Sequence, residues 1–330
     1  MRRLPRLSLS EEEEHLTEAD PKIGIETWRG SVRPWHIDEM GHMNVRFYLA
    51  DAAEAVVGLA GALGMPRAFT AGAAATLLLR EHHVRFLHEA RLGAGLFIQS
   101  AVLEMGETDA LILQVMFHAS TGRPAAAITS RVEHVTAGEK RPFAWSQTAR
   151  RLARDLTVAA PDYALPRGIV GPPILGQANA ANADALGLGS PAAGAVTAAD
   201  VDVFGLMRPE HVLERVSQAI PHQLGRNDLP LAEFMPELAG HLGGATVELR
   251  TIFHRWPRAG DRLVLRSGLA DVTPKMSRLS HWLLDPATGQ PWAETEMLIV
   301  NFDLQARRAV ELAPGVFKVL AAERTPRQSG

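Results

Sequence analysis

Residues 32–48 read Val32-Arg-Pro-Trp-His-Ile-Asp-Glu-Met-Gly-His-Met-Asn-Val-Arg-Phe-Tyr48 and place four chemically distinct groups within seven positions, at Asp38, Gly41, His42 and Asn44. A strand-like run over residues 23–32 precedes this loop, and a run rich in Ala and Gly over residues 44–63 follows it. In the second run, apolar side chains recur at the 3.6-residue period of a buried helical face, at Tyr48, Ala52, Ala55, Val56, Leu59 and Leu63. The sequence therefore predicts a polar loop between a strand and the N-terminus of a long helix.

This arrangement suits the hydrolysis of esters or thioesters. Free backbone N–H groups at a helix start can polarise a carbonyl, and a carboxylate beside them can attack it or activate water. Each residue also has a structural interpretation: Asp38 as a turn residue, Gly41 as a residue with positive φ, and Asn44 as a helix N-cap. The combination of all of them in front of a helix favours the catalytic interpretation.

The loop resembles the motif of hot-dog-fold thioesterases of the 4-hydroxybenzoyl-CoA thioesterase type. Members of that family carry an Asp, then Gly-His-Val-Asn-Asn or a variant, then a Tyr, between the first strand and the central helix. Here the motif reads Asp38-Glu-Met-Gly41-His42-Met-Asn44-Val-Arg-Phe-Tyr48, with Val45 at the position of the second Asn. The resemblance implies an α+β hot-dog unit, in which an antiparallel sheet wraps around a central helix, and it implies hydrolysis of an acyl thioester.

The resemblance also implies roles for the motif residues. It makes Asp38 the nucleophile or the general base, with His42 and Asn44 as the groups that orient it or the water. The backbone N–H groups of Gly41, Asn44 and Val45 are then the candidate donors to the thioester oxygen.

Two further side chains on the predicted helix are candidates for support of this site. Tyr48 stands where the family has its Tyr. Glu54 lies ten residues after Asn44, and a role in the site and simple contact with solvent are equally compatible with its position.

The second half of the chain repeats the first. Asp202-Val-Phe-Gly205 has the same Asp-x-x-Gly spacing before another helical run, at an offset of 202 − 38 = 164. Three later landmarks recur at 254 − 88 = 166, 267 − 100 = 167 and 291 − 124 = 167, namely Val84–His88 with Arg250–His254, Phe97–Ser100 with Val264–Ser267, and Thr121–Pro124 with Thr288–Pro291. Offsets that drift by only three residues indicate a duplicated unit.

The two copies differ at the positions that chemistry would use. Leu206 stands at the position of His42, and Arg208 stands at the position of Asn44. We expect Arg208 to pair with Asp202 and to hold that carboxylate away from catalysis. The sequence therefore predicts one working site per chain, in the first copy, with walls supplied by the second.

The duplication predicts two hot-dog units that pair within one chain as a pseudo-dimer, because a single unit leaves a sheet edge exposed. We expect a mobile N-terminal tail over residues 1–19, the first unit over 20–136, a linker over 137–189, the second unit over 190–312 and a C-terminal tail over 313–330. The linker contains a candidate short helix between Ser146 and Val158. Predicted strands cover residues 76–87, 96–105, 110–118 and 125–135. In the second copy, the sequence predicts a helix over 210–224 and strands over 245–254, 262–272, 278–284 and 292–302.

The composition excludes several classes of protein. A hydrophobic content of 46% and a charged content of 22% are typical of a globular protein, and a net charge of −3 gives no reason to expect nucleic acid or membrane as a partner. The absence of cysteine excludes disulfides and thiolate chemistry and is compatible with a reducing cytosol. The N-terminus lacks the apolar core of a signal peptide, so we expect a cytoplasmic protein.

We expect no metal and no cofactor. His82 and His83 are adjacent in a predicted strand, so their side chains point to opposite faces and cannot share one ion without distortion. The expected substrate is an acyl-CoA or an acyl carrier protein thioester, and assembly of pseudo-dimers into a homo-oligomer is left open. Two other functions also stay open: a hot-dog hydratase or dehydratase acting on an acyl-CoA, and a non-catalytic module that binds acyl-CoA.

Overall fold

The computed structural model describes residues 23–38, 40–224 and 231–326. The predicted mobile tail over residues 1–19 lies outside this range. In the first half, the elements follow in the order β1 (Ile25–Ser31), α1 (Val45–Ala62), β2 (Ala75–Phe86), β3 (Gly95–Met105), β4 (Asp109–His118), β5 (Pro124–Thr136), α2 (Gln147–Asp155) and α3 (Ala180–Ala185).

The second half repeats the order of first strand, central helix and four long strands. Its elements are β6 (Gly189–Ala195), α4 (Glu210–Leu224), α5 (Leu231–Phe234), β7 (Leu242–Phe253), β8 (Arg262–Val272), β9 (Met276–Leu284), β10 (Pro291–Asp303), β11 (Arg308–Ala309) and α6 (Pro314–Ala322). The predicted helix over 210–224 is confirmed, and the ends of the predicted strands lie within three residues of the observed ends.

One antiparallel sheet runs through both halves. Its strand order is β1-β3-β4-β5-β2-β7-β10-β9-β8-β6, with β11 attached to β10. The halves join edge to edge where β2 pairs with β7, with His83 opposite Arg250 and Val84 opposite Leu249. This pairing satisfies the backbone groups that each half alone would expose at that edge. The chain is therefore an intrachain pseudo-dimer of two hot-dog units.

The central helices α1 and α4 pack on the same face of the sheet, across the junction. One apolar core contains Leu49 of α1, Leu213 of α4, Val84 of β2 and Leu249 of β7, all at most 1% exposed. Because neighbouring side chains of a strand point to opposite faces, Glu248 lies on the other face. There, three backbone N–H groups of the linker donate to its carboxylate.

Each half also has an equivalent helix after its last long strand. Thr157 and Arg324 form equivalent parallel bridges to the sheet, with Val102 and Leu269 respectively, at an offset of 324 − 157 = 167. Helices α2 and α6 precede these bridges at the same offset. The segment expected as a C-terminal tail thus contains a helix equivalent to the one inside the predicted linker, while the domain boundaries themselves stay predictions.

Candidate active site

The motif residues build a tight loop at the N-terminus of α1. The carboxylate Oδ1 of Asp38 accepts hydrogen bonds from the backbone N–H groups of Met40, at 2.9 Å, and His42, at 3.2 Å. Gly41 has a φ of +78° and donates its N–H to the carbonyl of Asp38 at 3.0 Å. Apart from its chain neighbours, no described residue has an atom within 4 Å of the position that a Cβ of Gly41 would take, so the backbone conformation favours glycine here.

The loop of the second half has the same hydrogen bonds. Oδ1 of Asp202 accepts from the N–H groups of Phe204, at 2.8 Å, and Leu206, at 3.0 Å, and Gly205 has a φ of +73°. Asp and Gly therefore have a structural role in both loops. The imidazole and the amide that follow them are present only in the first.

Two of the three backbone N–H groups predicted to bind the thioester oxygen already donate within the loop. The side chain of Asn44 accepts from the N–H of Arg46 at 3.0 Å, which confirms Asn44 as the N-cap. Its own N–H donates to the carbonyl of His36 at 2.8 Å, and the N–H of Gly41 is used in the turn. Within the described residues, the N–H of Val45 donates to no hydrogen-bond acceptor. Val45 thus supplies the donor that these bonds leave for a ligand.

His42 contacts two charged side chains that the sequence did not indicate. Its Nε2 atom lies 3.1 Å from the Glu89 carboxylate and also meets the guanidinium of Arg307, which in turn pairs with Glu89. Burial lowers the pKa of His42, the charge of Glu89 opposes this, and the charge of Arg307 adds to it. The imidazole therefore lies between a cation and an anion, and burial is the largest of the effects on its pKa.

The second half supplies the walls around this loop. Nδ2 of Asn44 lies 3.5 Å from Oγ of Ser217 on α4, and Arg46 forms an ion pair with Glu214 on the same helix. A Cβ on Gly243 of β7 would clash with the side chain of Met40. The loop of the first half thus packs against α4 and the start of β7.

Tyr48 supports the segment that lies beside the loop. Its side chain is 4% exposed, its ring packs edge-on against Phe86, and its hydroxyl accepts the N–H of Ala90 at 3.3 Å. The carbonyl of Ala90 accepts from Met43 at 2.8 Å. Burial raises the pKa of Tyr48 well above its usual value. Tyr48 therefore fixes the strand-to-loop segment that carries Glu89.

The structure does not bring Glu54 to the site. Its exposed carboxylate accepts from the indole N–H of Trp28 on β1 at 2.9 Å, about 15 Å along the helix from Asn44 at 1.5 Å per residue. The other acid of α1, Asp51, is 8% exposed. Burial, followed by the charge of Glu54, raises the pKa of Asp51 to about 7.

The predicted pairing of Arg208 with Asp202 is wrong. The guanidinium of Arg208 donates to the carbonyl of Ala199 at 2.9 Å and contacts His211 and Glu210. Among the described residues, it forms no ion pair with Asp202. The position before α4 directs this side chain back along the chain, toward the short turn that precedes the loop. The Asp202 loop instead lies beside Lys140, whose Nζ stands 4.1 Å from the ring centroid of Phe204.

Asp200, His211 and Glu214 place three metal-type ligand atoms within 4.8 Å of one another. Arg215 pairs with Asp200 at 3.2 Å, and Arg46 pairs with Glu214. Two arginines already neutralise these carboxylates, so the group fits an ion-pair network better than a cation site. His82 and His83 also bind separate partners, Ser130 at 2.7 Å and Glu248 at 2.8 Å.

The contacts that sequence reasoning missed at this site all depend on the fold. Glu89, Ser217 and Arg307 carry no local motif, and Ser217 and Arg307 belong to the other half of the chain. The signal that could have found Arg307 is its equivalence to Lys140, at the repeat offset of 307 − 140 = 167.

Two fused hot-dog units with an acidic loop at a helix N-terminus define a tandem hot-dog protein. The profile of the thioesterase-like superfamily matches residues 32–152 and 196–320. The matches cover more than half of the chain and fall one on each repeat, so the chain belongs to the thioesterase-like superfamily. This membership supports a thioester hydrolase in general. No curated protein matches the sequence.

Solved structures share the whole two-unit architecture. A proposed oleoyl thioesterase from Lactobacillus plantarum has a TM-score of 0.62 and 12% identity, and covers 84% of this chain and 97% of its own. The 12:0-ACP thioesterase from Umbellularia californica has a TM-score of 0.60 and 10% identity, with coverages of 83% and 92%. An acyl-ACP thioesterase from Bacteroides thetaiotaomicron has a TM-score of 0.57 and 12% identity, with coverages of 82% and 96%. At these identities the likeness establishes the fold alone. None of the helices in the described part of the chain has the length and apolar character needed to span a bilayer.

Proposed function

We propose that this protein hydrolyses an acyl-CoA or acyl carrier protein thioester at one site per chain, in the loop of the first repeat. The observation that carries the proposal is the difference between two otherwise equivalent loops. Both hold an Asp and a Gly in the same turn, but only the first adds the His42 imidazole and the Asn44 amide. The second offers Leu206, which is 5% exposed and packs in an apolar cluster.

The proposed chemistry uses the start of α1. The thioester carbonyl oxygen approaches the N–H of Val45, where the helix dipole stabilises the negative charge that develops on it. The carboxylate of Asp38 either attacks the carbonyl carbon or takes a proton from a water that attacks it. In the water route the C–S bond then breaks, the proton held by Asp38 passes to the sulfur, and the acyl group leaves as a carboxylic acid. In the route of direct attack the C–S bond breaks as the acyl group moves to Asp38, and solvent protonates the departing thiolate. Water then cleaves the intermediate anhydride at Asp38.

The family and the similar structures support the proposed substrate class. Two of these are described as acyl carrier protein thioesterases. We infer a thioester of the same kind, and the contacts of Asn44 and Arg46 with Ser217 and Glu214 place the start of α1 next to the second repeat. The experiment below distinguishes an acyl-CoA substrate from an acyl carrier protein substrate.

The test is a panel of acyl-CoA and acyl carrier protein thioesters of graded chain length, assayed for thiol release with a chromogenic thiol reagent. Release of one thiol per acid formed, with saturation by one substrate series, supports the proposal. Absence of thiol release on every substrate would sink it.

A non-catalytic acyl-thioester-binding module is the second candidate, and one observation favours it. Asp38 makes the same turn hydrogen bonds as Asp202, as a purely structural residue would. Calorimetric binding of an acyl-CoA without thiol release identifies this function. Addition or loss of water at C2–C3 of an enoyl- or hydroxyacyl-CoA identifies a hydratase.

A further inference from the structure

Two equivalent hairpin turns carry basic residues in the left-handed backbone region. Lys140 has a φ of +56° and Arg307 a φ of +57°, and within the described residues these are the two non-glycine residues with positive φ. Each donates its N–H to the carbonyl four residues earlier, Lys140 to Thr136 at 3.0 Å and Arg307 to Asp303 at 2.8 Å. A side chain is disfavoured in this region, so the shared conformation indicates a defined geometry.

Each basic residue reaches the motif loop of the opposite repeat. The Lys140 ammonium lies over the ring of Phe204, in the Asp202 loop. The Arg307 guanidinium contacts His42 in the Asp38 loop and pairs with Glu89 beside it. The two contacts are related by the pseudo-twofold symmetry, but only Arg307 meets an imidazole.

We propose that Arg307 is a positioning residue of the first-repeat site, which holds His42 as a neutral imidazole with its proton on Nδ1. This proposal rests on the proposed function and adds to it the protonation state that the site needs. Glu89 supports this role, because its carboxylate pairs with the Arg307 guanidinium that His42 contacts.

The hydrogen-bond donors around His42 determine which ring nitrogen carries the proton. A guanidinium carries only N–H donors and keeps its charge at all pH values relevant to proteins. Nε2 of His42 must therefore accept, which leaves the ring proton on Nδ1. The side chain of Glu89, 3.1 Å from Nε2, could accept only if Nε2 carried a proton. Nε2 cannot serve both partners, and the pairing of the Glu89 carboxylate with the Arg307 guanidinium favours an accepting Nε2.

The charged groups that face His42 are Glu89, Arg307, Asp38 and Arg91. Glu89 and Asp38 favour the imidazolium, and Arg307 and Arg91 oppose it. Removal of Arg307 therefore leaves two carboxylates against one arginine. The pKa of His42 then rises, and an activity that needs the neutral ring is lost at a higher pH.

The chain offers a matched control for this test. Arg307→Asn and Lys140→Asn each remove a cation from a turn whose positive φ asparagine tolerates. Both variants place Asn at a position with the same positive φ. Only Arg307→Asn alters the surroundings of His42. Arg307→Lys keeps a cation and a donor.

The first measurement is a pH titration of protein labelled with ¹⁵N-histidine, with the His42 signals assigned by their loss in His42→Gln. In the wild type and in Lys140→Asn we expect an Nδ1-protonated neutral ring. In Arg307→Asn we expect a raised His42 pKa and loss of the Nδ1–H preference, with partial recovery in Arg307→Lys. An unchanged His42 titration and tautomer in Arg307→Asn would overturn the proposal.

The second measurement is the pH profile of kcat/KM on the best thioester from the panel. A rise of one pKa unit in His42 lowers kcat/KM about tenfold at pH values below both pKa values. We expect this displacement of the acid limb in Arg307→Asn and not in Lys140→Asn. Equal profiles for the two variants would contradict the proposal. If the wild type hydrolyses no thioester, the proposed function fails, while the titration still decides whether Arg307 sets the state of His42.

Discussion

Asp38 and Asp202 hold the same turn in the two repeats, each through one carboxylate oxygen that accepts two backbone N–H groups. Substitution of either residue should therefore have the same effect on stability. A difference between the two substitutions in their effect on activity would measure the catalytic contribution of Asp38. This relationship makes the second repeat an internal control for the first.

The first prediction uses that control. Asn retains the oxygen that accepts in the turn, so Asp38→Asn and Asp202→Asn should both keep the fold. We expect Asp38→Asn to lower kcat for thioester hydrolysis by about 10²–10⁴-fold, the range for loss of a base or nucleophile, and Asp202→Asn to leave kcat near the wild-type value. The measurement is steady-state kinetics with a thermal melt of each variant.

Alanine at the same positions separates stability from chemistry. Asp38→Ala and Asp202→Ala both strand two backbone N–H groups, and each should lower the free energy of unfolding by about 1–3 kcal/mol. Equal losses of activity from Asp38→Asn and Asp202→Asn, or two inhibitor equivalents bound per chain, would refute the single-site view.

The second prediction concerns Asp51, whose pKa burial and the charge of Glu54 raise to about 7. Because the unfolded chain loses this proton near pH 4, the folded state binds more protons between about pH 4 and pH 7, and stability falls as pH rises across that window. Asp51→Asn cannot ionise. We expect its free energy of unfolding to rise relative to the wild type from pH 4 to pH 8, measured by urea titration at each pH.

Glu54→Gln gives the supporting variant for Asp51. It removes the neighbouring charge but keeps an oxygen that can accept from Trp28. The pH-dependent loss of stability should then end at a lower pH and be smaller in total, because less repulsion opposes ionisation of Asp51 in the folded state. A constant difference in stability between wild type and Asp51→Asn over the whole range would show that Asp51 ionises normally.

Local sequence patterns predicted the helices and strands well, but they did not predict the side-chain contacts between the repeats. The bounds of α1 follow from the Asn44 cap and the apolar period, and Asn44 does cap the helix. The contact of His42 with Arg307 spans 265 residues, so no local pattern indicates it. Arg208 was assigned to Asp202 by proximity in sequence. Its real partners depend on the direction in which the chain enters α4.

The third prediction concerns a row of polar side chains that crosses the core beneath the helices. Directly paired positions on neighbouring strands carry Ser130, His82, Thr251, Thr295, His281 and Ser267. His82 and His281 bind Ser130 and Ser267 at 2.7 and 2.8 Å. Burial lowers the pKa of His82 to about 3 and that of His281 to about 4.

Because both folded pKa values lie below the unfolded value of about 6.5, the unfolded chain binds more protons as pH falls. Stability is therefore lost below about pH 6.5, and the two histidines together contribute about 2.7 kcal/mol per pH unit between about pH 6 and pH 4. We expect His82→Gln and His281→Gln each to remove about half of this slope. His222→Gln serves as the surface control, because the side chain of His222 is exposed and lies outside this polar row. A wild-type slope in both core variants would contradict the prediction.

The last prediction concerns Glu248, which ties the linker to the outer face of the sheet. Its carboxylate accepts from the backbone N–H groups of Arg167, Gly168 and Ile169 at 2.8–3.1 Å and contacts His83 at 2.8 Å. Burial opposes ionisation, but these hydrogen bonds outweigh it and lower the pKa of Glu248 to about 2. The stability gained from its charge is thus present above about pH 4.5 and lost as pH falls toward 2.

In Glu248→Gln, an amide N–H₂ replaces one acceptor oxygen and faces the linker N–H donors. We expect a loss of about 3 kcal/mol in the free energy of unfolding, together with faster hydrogen exchange at residues 167–169. Glu133→Gln is the control, because Glu133 forms a partly exposed ion pair with Arg80 at 2.7 Å and should cost at most about 1 kcal/mol. Equal costs for the two variants, with unchanged exchange at residues 167–169, would mean that Glu248 does not hold the linker.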